Sequence, residues 1–140
     1  MKEIVIKKVN LKNGLELIFF DESKRIAGDR WHVEISARIP IRIDSLFQFG
    51  NMSNPIIDQD MKKIMGETVS FEKKLVRIFV DEKEKDSVVM NVCESYLSSA
   101  GDYLSHKNFA ERFVRKIYRE TLEKRQIDNL IKKGMDDGGG

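Results

Sequence analysis

The residues with the most versatile chemistry in this chain are two histidines and one cysteine. His32 and His106 could each transfer a proton or bind a metal ion, and Cys93 could act as a nucleophile. Neither histidine has a second histidine or a cysteine at the spacing of metal ligands. Cys93 belongs to an apolar stripe with Val92 and Leu97, which favours a buried, inert thiol. We therefore expect no metal site, no cofactor and no catalytic role for these three residues.

Carboxylates are concentrated in one short run, residues 81–86, which holds four of them. A calcium-binding loop needs a glycine at its sharp turn and a bidentate glutamate at a fixed spacing, and this run has neither. We interpret it as a strand-to-helix turn whose acids favour the N-terminus of the next helix. Glycine-rich phosphate loops, nucleophile elbows and zinc-protease motifs are missing from the sequence. The sequence predicts a protein that is not an enzyme.

Positive charge is concentrated near the C-terminus. The 140-residue chain has 25 Lys and Arg against 23 Asp and Glu, so its net charge of +2 excludes a globally basic nucleic-acid coat. Residues 107–133, however, hold nine cations and four acids. A basic helix of this kind could contact phosphates or an acidic partner. The candidate contact residues here are Arg112, Arg115, Lys116 and Arg119.

A second set of arginines lies on a predicted strand. From Arg30 to Ile43, every odd position is apolar and the even positions are mostly polar. A strict period of two over this length predicts one long strand with an apolar and a polar face. The polar face adds three candidate contacts for nucleic acid or an acidic partner: Arg30, Arg38 and Arg42. Trp31 falls on the apolar face, so no aromatic of this strand accompanies the arginines.

Two further segments are predicted to be β-structure. Residues 4–11 and 15–21 are rich in Ile, Val, Leu and Phe, and the Asn13-Gly14 pair between them is typical of a primed hairpin turn with positive φ angles. Residues 67–80 form another β region, in which the apolar phase changes. A bulge or short turn at residues 72–74 would restore the register there.

The second half of the chain is predicted to be helical. Apolar residues recur at helical spacing from Val88 to Ala100, and a second helix is expected from about Asn108 towards Lys133. Residues 134–140 form a polar, glycine-rich tail that we expect to be disordered. Residues 44–66 contain turn signals and give no clear assignment.

This order of elements predicts a single α+β domain over residues 1–133. We expect an antiparallel sheet of about four strands, made of an N-terminal hairpin and two long strands, with two C-terminal helices packed on one face. No run approaches the roughly 20 apolar residues of a membrane-spanning helix, and no secretory signal is recognisable. With a single cysteine, these features predict a soluble, cytoplasmic protein with no membrane contact.

We expect the protein to be a non-enzymatic interaction protein that acts through self-association or a protein partner, with nucleic-acid binding as the alternative. The strand over residues 30–43 should extend about 46 Å, whereas the first helix covers only about 22 Å. Either the strand bends sharply near Pro40, or part of its apolar face is left uncovered by its own chain. A twofold partner would cover it, so we predict a homodimer.

Overall fold

The computed structural model describes residues 4–43 and 63–138, with side chains described as far as Lys133. The described part of the chain forms five strands followed by two long helices. The elements are β1 (Ile4–Asn10), β2 (Glu16–Asp21), β3 (Lys24–Ala27), β4 (Arg30–Arg42), β5 (Thr68–Asp81), α1 (Lys85–Leu104) and α2 (Phe109–Gly138). The predicted α+β class, the antiparallel sheet and the two C-terminal helices are confirmed.

The chain divides into two compact units. The first comprises residues 1–41 and 70–109, and contains most of the sheet together with α1. The second comprises residues 42–69 and 110–140, and contains nearly all of α2. The single domain over residues 1–133 stays a prediction.

β2 and β3 together make one interrupted ribbon along one edge of β4. β2 pairs with β4 from Ile18–Arg38 to Asp21–Ile35, and β3 resumes the same antiparallel register at Lys24–His32. The ribbon and β1 on one side, β4 in the middle and β5 on the other correspond to the four strands expected. The sequence reading missed β3 as a separate strand because all four of its residues are exposed, so it has no apolar face to recognise.

β4 follows the predicted alternation closely. Its odd-numbered side chains from Val33, together with Ile43 just beyond the strand, are fully buried at 0% exposure. In the first unit, α1 packs on this side of the sheet, where the rings of Phe19 and Tyr96 meet edge to face with centroids 6.3 Å apart. No uncovered strip therefore remains on β4. The geometric reason for expecting a homodimer is removed, and the homodimer itself stays a prediction.

The turn between β1 and β2 differs from the primed type expected. The N–H of Gly14 donates to the carbonyl of Leu11 at 3.0 Å, and in this turn Gly14 alone has a positive φ, of 89°. Asn13 has a negative φ, so its role lies in its side chain. The amide nitrogen of Asn13 donates to the carbonyls of Leu104 and His106 at 2.8 and 3.0 Å. Asn13 thereby fastens the hairpin to the C-terminal end of α1, whose last carbonyls have no partner in the helix.

β5 contains one bulge, near its C-terminal end. The N–H of Ile43 bonds to the carbonyl of Glu67, and the N–H of Glu82 bonds to the carbonyl of Asp29. Between these two bonds, β5 uses one residue more than β4, which is the signature of a bulge. Phe79 marks its position, because its φ of +57° is the single positive value among the described non-glycine residues.

The bulge explains the change of apolar phase in β5. Val80, after Phe79, is buried, whereas Val76 and Ile78 before it are exposed. The prediction of a bulge is correct in kind, but the extra residue lies at Phe79 rather than at residues 72–74. The side chains of Glu72 and Lys74 lie 3.1 Å apart on one face of the sheet, as the regular alternation of a strand requires.

The tail and the unassigned segment are only partly described. The helical backbone of α2 continues to Gly138, into the segment predicted to be a disordered tail. Of the unassigned segment 44–66, residues 44–62 lie outside the described residues. Neither α1 nor α2 has an apolar stretch long enough to cross a membrane.

Candidate functional site

A groove of about 630 Å³ lies between α1 and β5 in the first unit. Its volume is in the range of cavities that accept a small molecule or several side chains. β5 and α1 contribute equally to its lining, and the lining residues are Val76, Arg77, Ile78, Val80, Val88, Asn91, Val92 and Ser95. The groove is therefore mainly aliphatic, with a few polar groups among the valines.

The helical side of the groove follows from residue spacing on α1. Asn91 and Val92 each lie three or four residues from both Val88 and Ser95, so the four residues share one side of the helix. Val92 is buried at 5% exposure, whereas Asn91 and Ser95 are exposed. α1 thus supplies an apolar floor and a polar rim.

The strand side of the groove is the outer edge of β5. In the described ranges, β5 pairs with β4 alone. The carbonyl of Glu67 accepts the N–H of Ile43, so the backbone groups of Glu67 point towards β4. Because this direction alternates along an antiparallel pair, the other odd residues up to Arg77 also direct their N–H and C=O groups towards β4. The even residues, among them Val76, direct theirs outwards. Such an edge is a template on which another strand can pair.

Three large apolar side chains are exposed along this edge. Val76, Ile78 and Phe79 are 40%, 64% and 70% exposed. Single exposed apolar residues are ordinary, but consecutive ones beside an aliphatic groove mark an interaction surface. The sequence analysis missed this surface because it placed the irregularity of the strand at residues 72–74, away from this edge. The uninterrupted apolar run around Ile78-Phe79-Val80 was the signal that could have revealed it.

The face of the sheet opposite α1 carries a compact group of charges, which we call the polar cluster. Its members come from the β2–β3 junction, β4 and β5, and they are Glu22, Ser36, Arg38, Glu72 and Lys74. The ammonium of Lys74 lies 2.8 Å from Glu22 and 3.1 Å from Glu72. The guanidinium of Arg38 lies 2.9 Å from Glu22, and the buried Ser36 hydroxyl donates to Glu72. The cluster ties β5 to its neighbours.

Charge in the polar cluster is balanced within the cluster. The hydrogen bonds from Lys74 hold the pKa of Glu22 and the pKa of Glu72 below their usual value. The hydrogen bond to Glu22 in turn raises the pKa of Lys74. With two cations and two carboxylates, the cluster has no net charge, so its physical role is to hold strands together.

The three predicted strand arginines lie in different surroundings. Arg38 belongs to the polar cluster, and its guanidinium lies 4.3 Å from the ring centroid of Phe20 on β2. β2 therefore supplies the aromatic that β4 lacks on this face. Arg30 lies 3.8 Å from Asp81, and Arg42 is exposed at the end of β4. Arg30 and Arg38 share one face of β4, each beside a carboxylate.

The predicted basic residues of α2 belong to the second unit. Arg112, Lys116 and Arg119 are exposed at helical spacing and share one side of the helix. Arg115 is half-buried and donates to Glu111 at 3.1 Å, four residues earlier. Three of the four predicted cations are thus presented together.

The histidines and the cysteine have ordinary structural partners. His32 lies 3.8 Å from Glu34, and the Nδ1 atom of His106 accepts the N–H of Asn108 at 3.1 Å. Burial raises the pKa of the Cys93 thiol, which disfavours the reactive thiolate. Within residues 4–43 and 63–133, no three metal-ligating side chains gather in one place.

No family model matches this chain, and neither a curated protein nor a solved structure shows significant similarity to it. The feature with the clearest binding capacity is the groove together with the outer edge of β5.

Proposed function

We propose that this chain is a non-enzymatic interaction protein that binds an extended segment of a protein partner along the outer edge of β5. One observation carries the proposal: the outward N–H and C=O groups of this edge lie beside an aliphatic groove. In recognition by strand addition, backbone hydrogen bonds supply affinity, and pockets for alternate side chains supply selectivity. The groove and the edge together offer both.

Two other features support this function. Binding a strand would cover the exposed Val76, Ile78 and Phe79, and burial of apolar area contributes about 25 cal/mol per Å². The polar cluster fastens β5 to β4 from the opposite face, so the edge is held in place before a partner arrives. A preorganised edge binds with a smaller entropic cost.

A proline substitution at Val76 tests the proposal. The N–H of Val76 points outwards, so Val76→Pro removes no hydrogen bond to β4 but blocks pairing with an added strand. Val76→Thr keeps the N–H and is the matched control. We expect wild type and Val76→Thr to bind the same members of a panel of labelled extended peptides, measured by fluorescence anisotropy. Val76→Pro should weaken this binding by about tenfold or more.

The result depends on the proline variant remaining folded, which circular dichroism and a thermal melt establish independently. Equal peptide binding by the folded Val76→Pro variant would refute strand addition at this edge. The absence of binding of any extended peptide to wild type would refute the proposed function as a whole.

Self-association is a second form of the same function, favoured by a different surface. From Glu123 to Lys133, every side chain of α2 is exposed. Ile127, Leu130 and Ile131 are each more than half exposed at helical spacing, a stripe typical of helix–helix contact. We propose that two copies of the chain form a homodimer through this stripe.

Nucleic-acid binding is the alternative function, and the exposed Arg112, Lys116 and Arg119 favour it. Contacts with phosphates make affinity fall steeply with salt. Replacing these three residues and Arg115 by glutamine should then abolish binding to mixed nucleic acid while the protein stays folded. Absence of binding by wild type at low salt would reject this alternative.

We also propose a soluble, cytoplasmic location. The single cysteine is buried and unpaired, as is usual for proteins of a reducing compartment. Fractionation of cells that produce the tagged protein tests the location, and recovery in the membrane pellet would contradict it.

A further inference from the structure

We infer that the strand bound by β5 is acidic, with carboxylates alternating with apolar residues on its α1-facing side. This inference rests on the proposed function and specifies the chemistry of the partner. It starts from the charges that line the edge of β5.

Lys73 and Arg77 give this edge its charge. Both side chains are exposed, and both occupy odd positions, which belong to the α1-facing side of the sheet. Arg77 lines the groove, and its guanidinium donates to the outward carbonyl of Val76 at 2.8 Å. That hydrogen bond places the guanidinium at the outer edge itself. Among the described side chains, no carboxylate is within ion-pair distance of Lys73 or Arg77.

The opposite face of the same strand differs. Lys74 points away from α1 and is neutralised by Glu22 and Glu72 in the polar cluster. The charge that remains uncompensated on β5 therefore lies on the groove side. Every second side chain of an added strand would lie next to this positive charge.

The register of an added strand follows from strand geometry. Residues opposite Lys73, Leu75 and Arg77 lie on one face of the new strand, with one residue between each pair. Carboxylates opposite the two cations and an apolar side chain opposite the half-buried Leu75 are the complementary choice. On the added strand, the next α1-facing side chain after the one opposite Arg77 reaches the groove at Val88 and Val92. This side chain should also be apolar.

A second copy of β5 fits this edge less well. Antiparallel pairing of β5 with itself would bring its cationic run, which includes Lys73, Lys74 and Arg77, close to the same run. Like charges across strands are destabilising. A nucleic acid would use the cations but would leave the outward backbone groups and the aliphatic groove unmatched. The observations therefore favour an acidic peptide.

Matched peptides test the inference. The probe is a short peptide in which threonine alternates with the series valine, glutamate, valine, glutamate, valine. Its sequence is palindromic, so the same residues face β5 whether the peptide binds parallel or antiparallel to it. Two matched peptides carry glutamine or lysine in place of glutamate. We expect the glutamate peptide to bind most tightly and the lysine peptide most weakly, about tenfold apart at low salt, with the gap narrowing as salt rises.

A charge swap on the protein completes the test. Lys73→Glu with Arg77→Glu should reverse the order, so that the lysine peptide binds best. Lys124→Glu with Arg125→Glu, an equal charge change on the exposed part of α2, should leave the order unchanged.

Failure of the inference and failure of the proposed function give different results. Equal binding of all three peptides would overturn the inference alone, since strand addition without charge preference would remain. No binding of any of them to wild type, in agreement with a negative result on the wider panel, would overturn both. Displacement of the acidic peptide by a single-stranded oligonucleotide would overturn the inference in favour of nucleic acid.

Discussion

Lys74 illustrates at the residue scale how a charge can be structural in this protein. Its ammonium joins Glu22 and Glu72, two carboxylates far apart in sequence that no local pattern connects. In the folded state the pKa of both glutamates is lowered and the pKa of Lys74 is raised. Protonation of these groups is therefore coupled to folding.

The polar cluster should make stability depend on pH in a defined direction. A carboxylate with a lowered pKa stabilises the fold above its unfolded pKa, about 4.5, and this contribution is lost as pH falls through the folded value. Lys74 stabilises the fold at pH values below its unfolded pKa, about 10.5. This contribution is lost as the pH rises through the raised pKa of the folded state. We expect the free energy of unfolding to fall less on acidification in the variant Glu22→Gln/Glu72→Gln than in wild type.

Urea unfolding at neutral pH and at about pH 3 measures this difference. Glu123→Gln, at an exposed position of α2, is the control and should keep the wild-type slope. Identical pH dependence in the double variant and wild type would show that the cluster does not couple protonation to folding.

Ile35 and Val92 lie in the middle of their apolar stripes on β4 and α1, and both are buried. Truncation of Ile35 to alanine should lower the free energy of unfolding by about 2–4 kcal/mol, because it removes buried methylene groups and leaves a cavity. Val92→Ala should cost about 1–3 kcal/mol for the same reason. Ile78→Ala, at a position 64% exposed, is the matched control, with an expected change within about 0.5 kcal/mol. Chemical denaturation measures all three, and equal costs at Ile35 and Ile78 would contradict the burial assignment.

At the scale of elements, Asn13 connects the first hairpin to the end of α1. Asn13→Asp keeps the oxygen that accepts the N–H of Leu15 but loses both bonds to the carbonyls of Leu104 and His106. It also places a negative charge at the negative end of a helix dipole. We expect the melting temperature to fall and the free energy of unfolding to drop by about 1–3 kcal/mol.

The isosteric control for Asn13→Asp is a second asparagine, which lies on α1. Asn91→Asp changes the same atoms at an exposed position in the N-terminal half of α1, away from its C-terminus. A thermal melt that shifts equally for both variants would show that Asn13 has no special role.

An element could be predicted where its structure is determined by residues close together in the sequence, and not where it depends on contacts between distant strands. β4 was predicted correctly because its faces are uniform, with apolar residues at each odd position from Val33 to Ile41. The groove edge of β5 was not predicted, because the alternation pattern shows that the apolar phase changes but not that the extra residue lies at Phe79. The polar cluster was also beyond reach, since it needs the register of three strands. The hydrogen bonds from Asn13 to the end of α1 were not predicted, because the Asn13-Gly14 pair was already explained as a hairpin turn.

At the scale of the whole molecule, the homodimer is the prediction that solution mass decides. The exposed stripe of Ile127, Leu130 and Ile131 on α2 would be covered in a dimer. Light scattering on the eluting protein should then give about twice 16.3 kDa, rising towards this value with concentration. Leu130→Glu should return the mass to that of a monomer, and Arg125→Glu is a charge-change control on the same helix. A wild-type mass of 16.3 kDa at every concentration would refute the homodimer.

The bulge at Phe79 has a consequence for amide exchange with deuterated water. Up to Arg77, the odd amides of β5 are bonded to β4 and should exchange slowly, while the even amides at the outer edge exchange quickly. Past Phe79, the extra residue reverses this alternation, so that even amides such as Glu82 become the protected ones. A partner strand would slow the even amides before the bulge and leave the odd ones unchanged. The exchange rates along β5 therefore report, residue by residue, whether its outer edge is occupied.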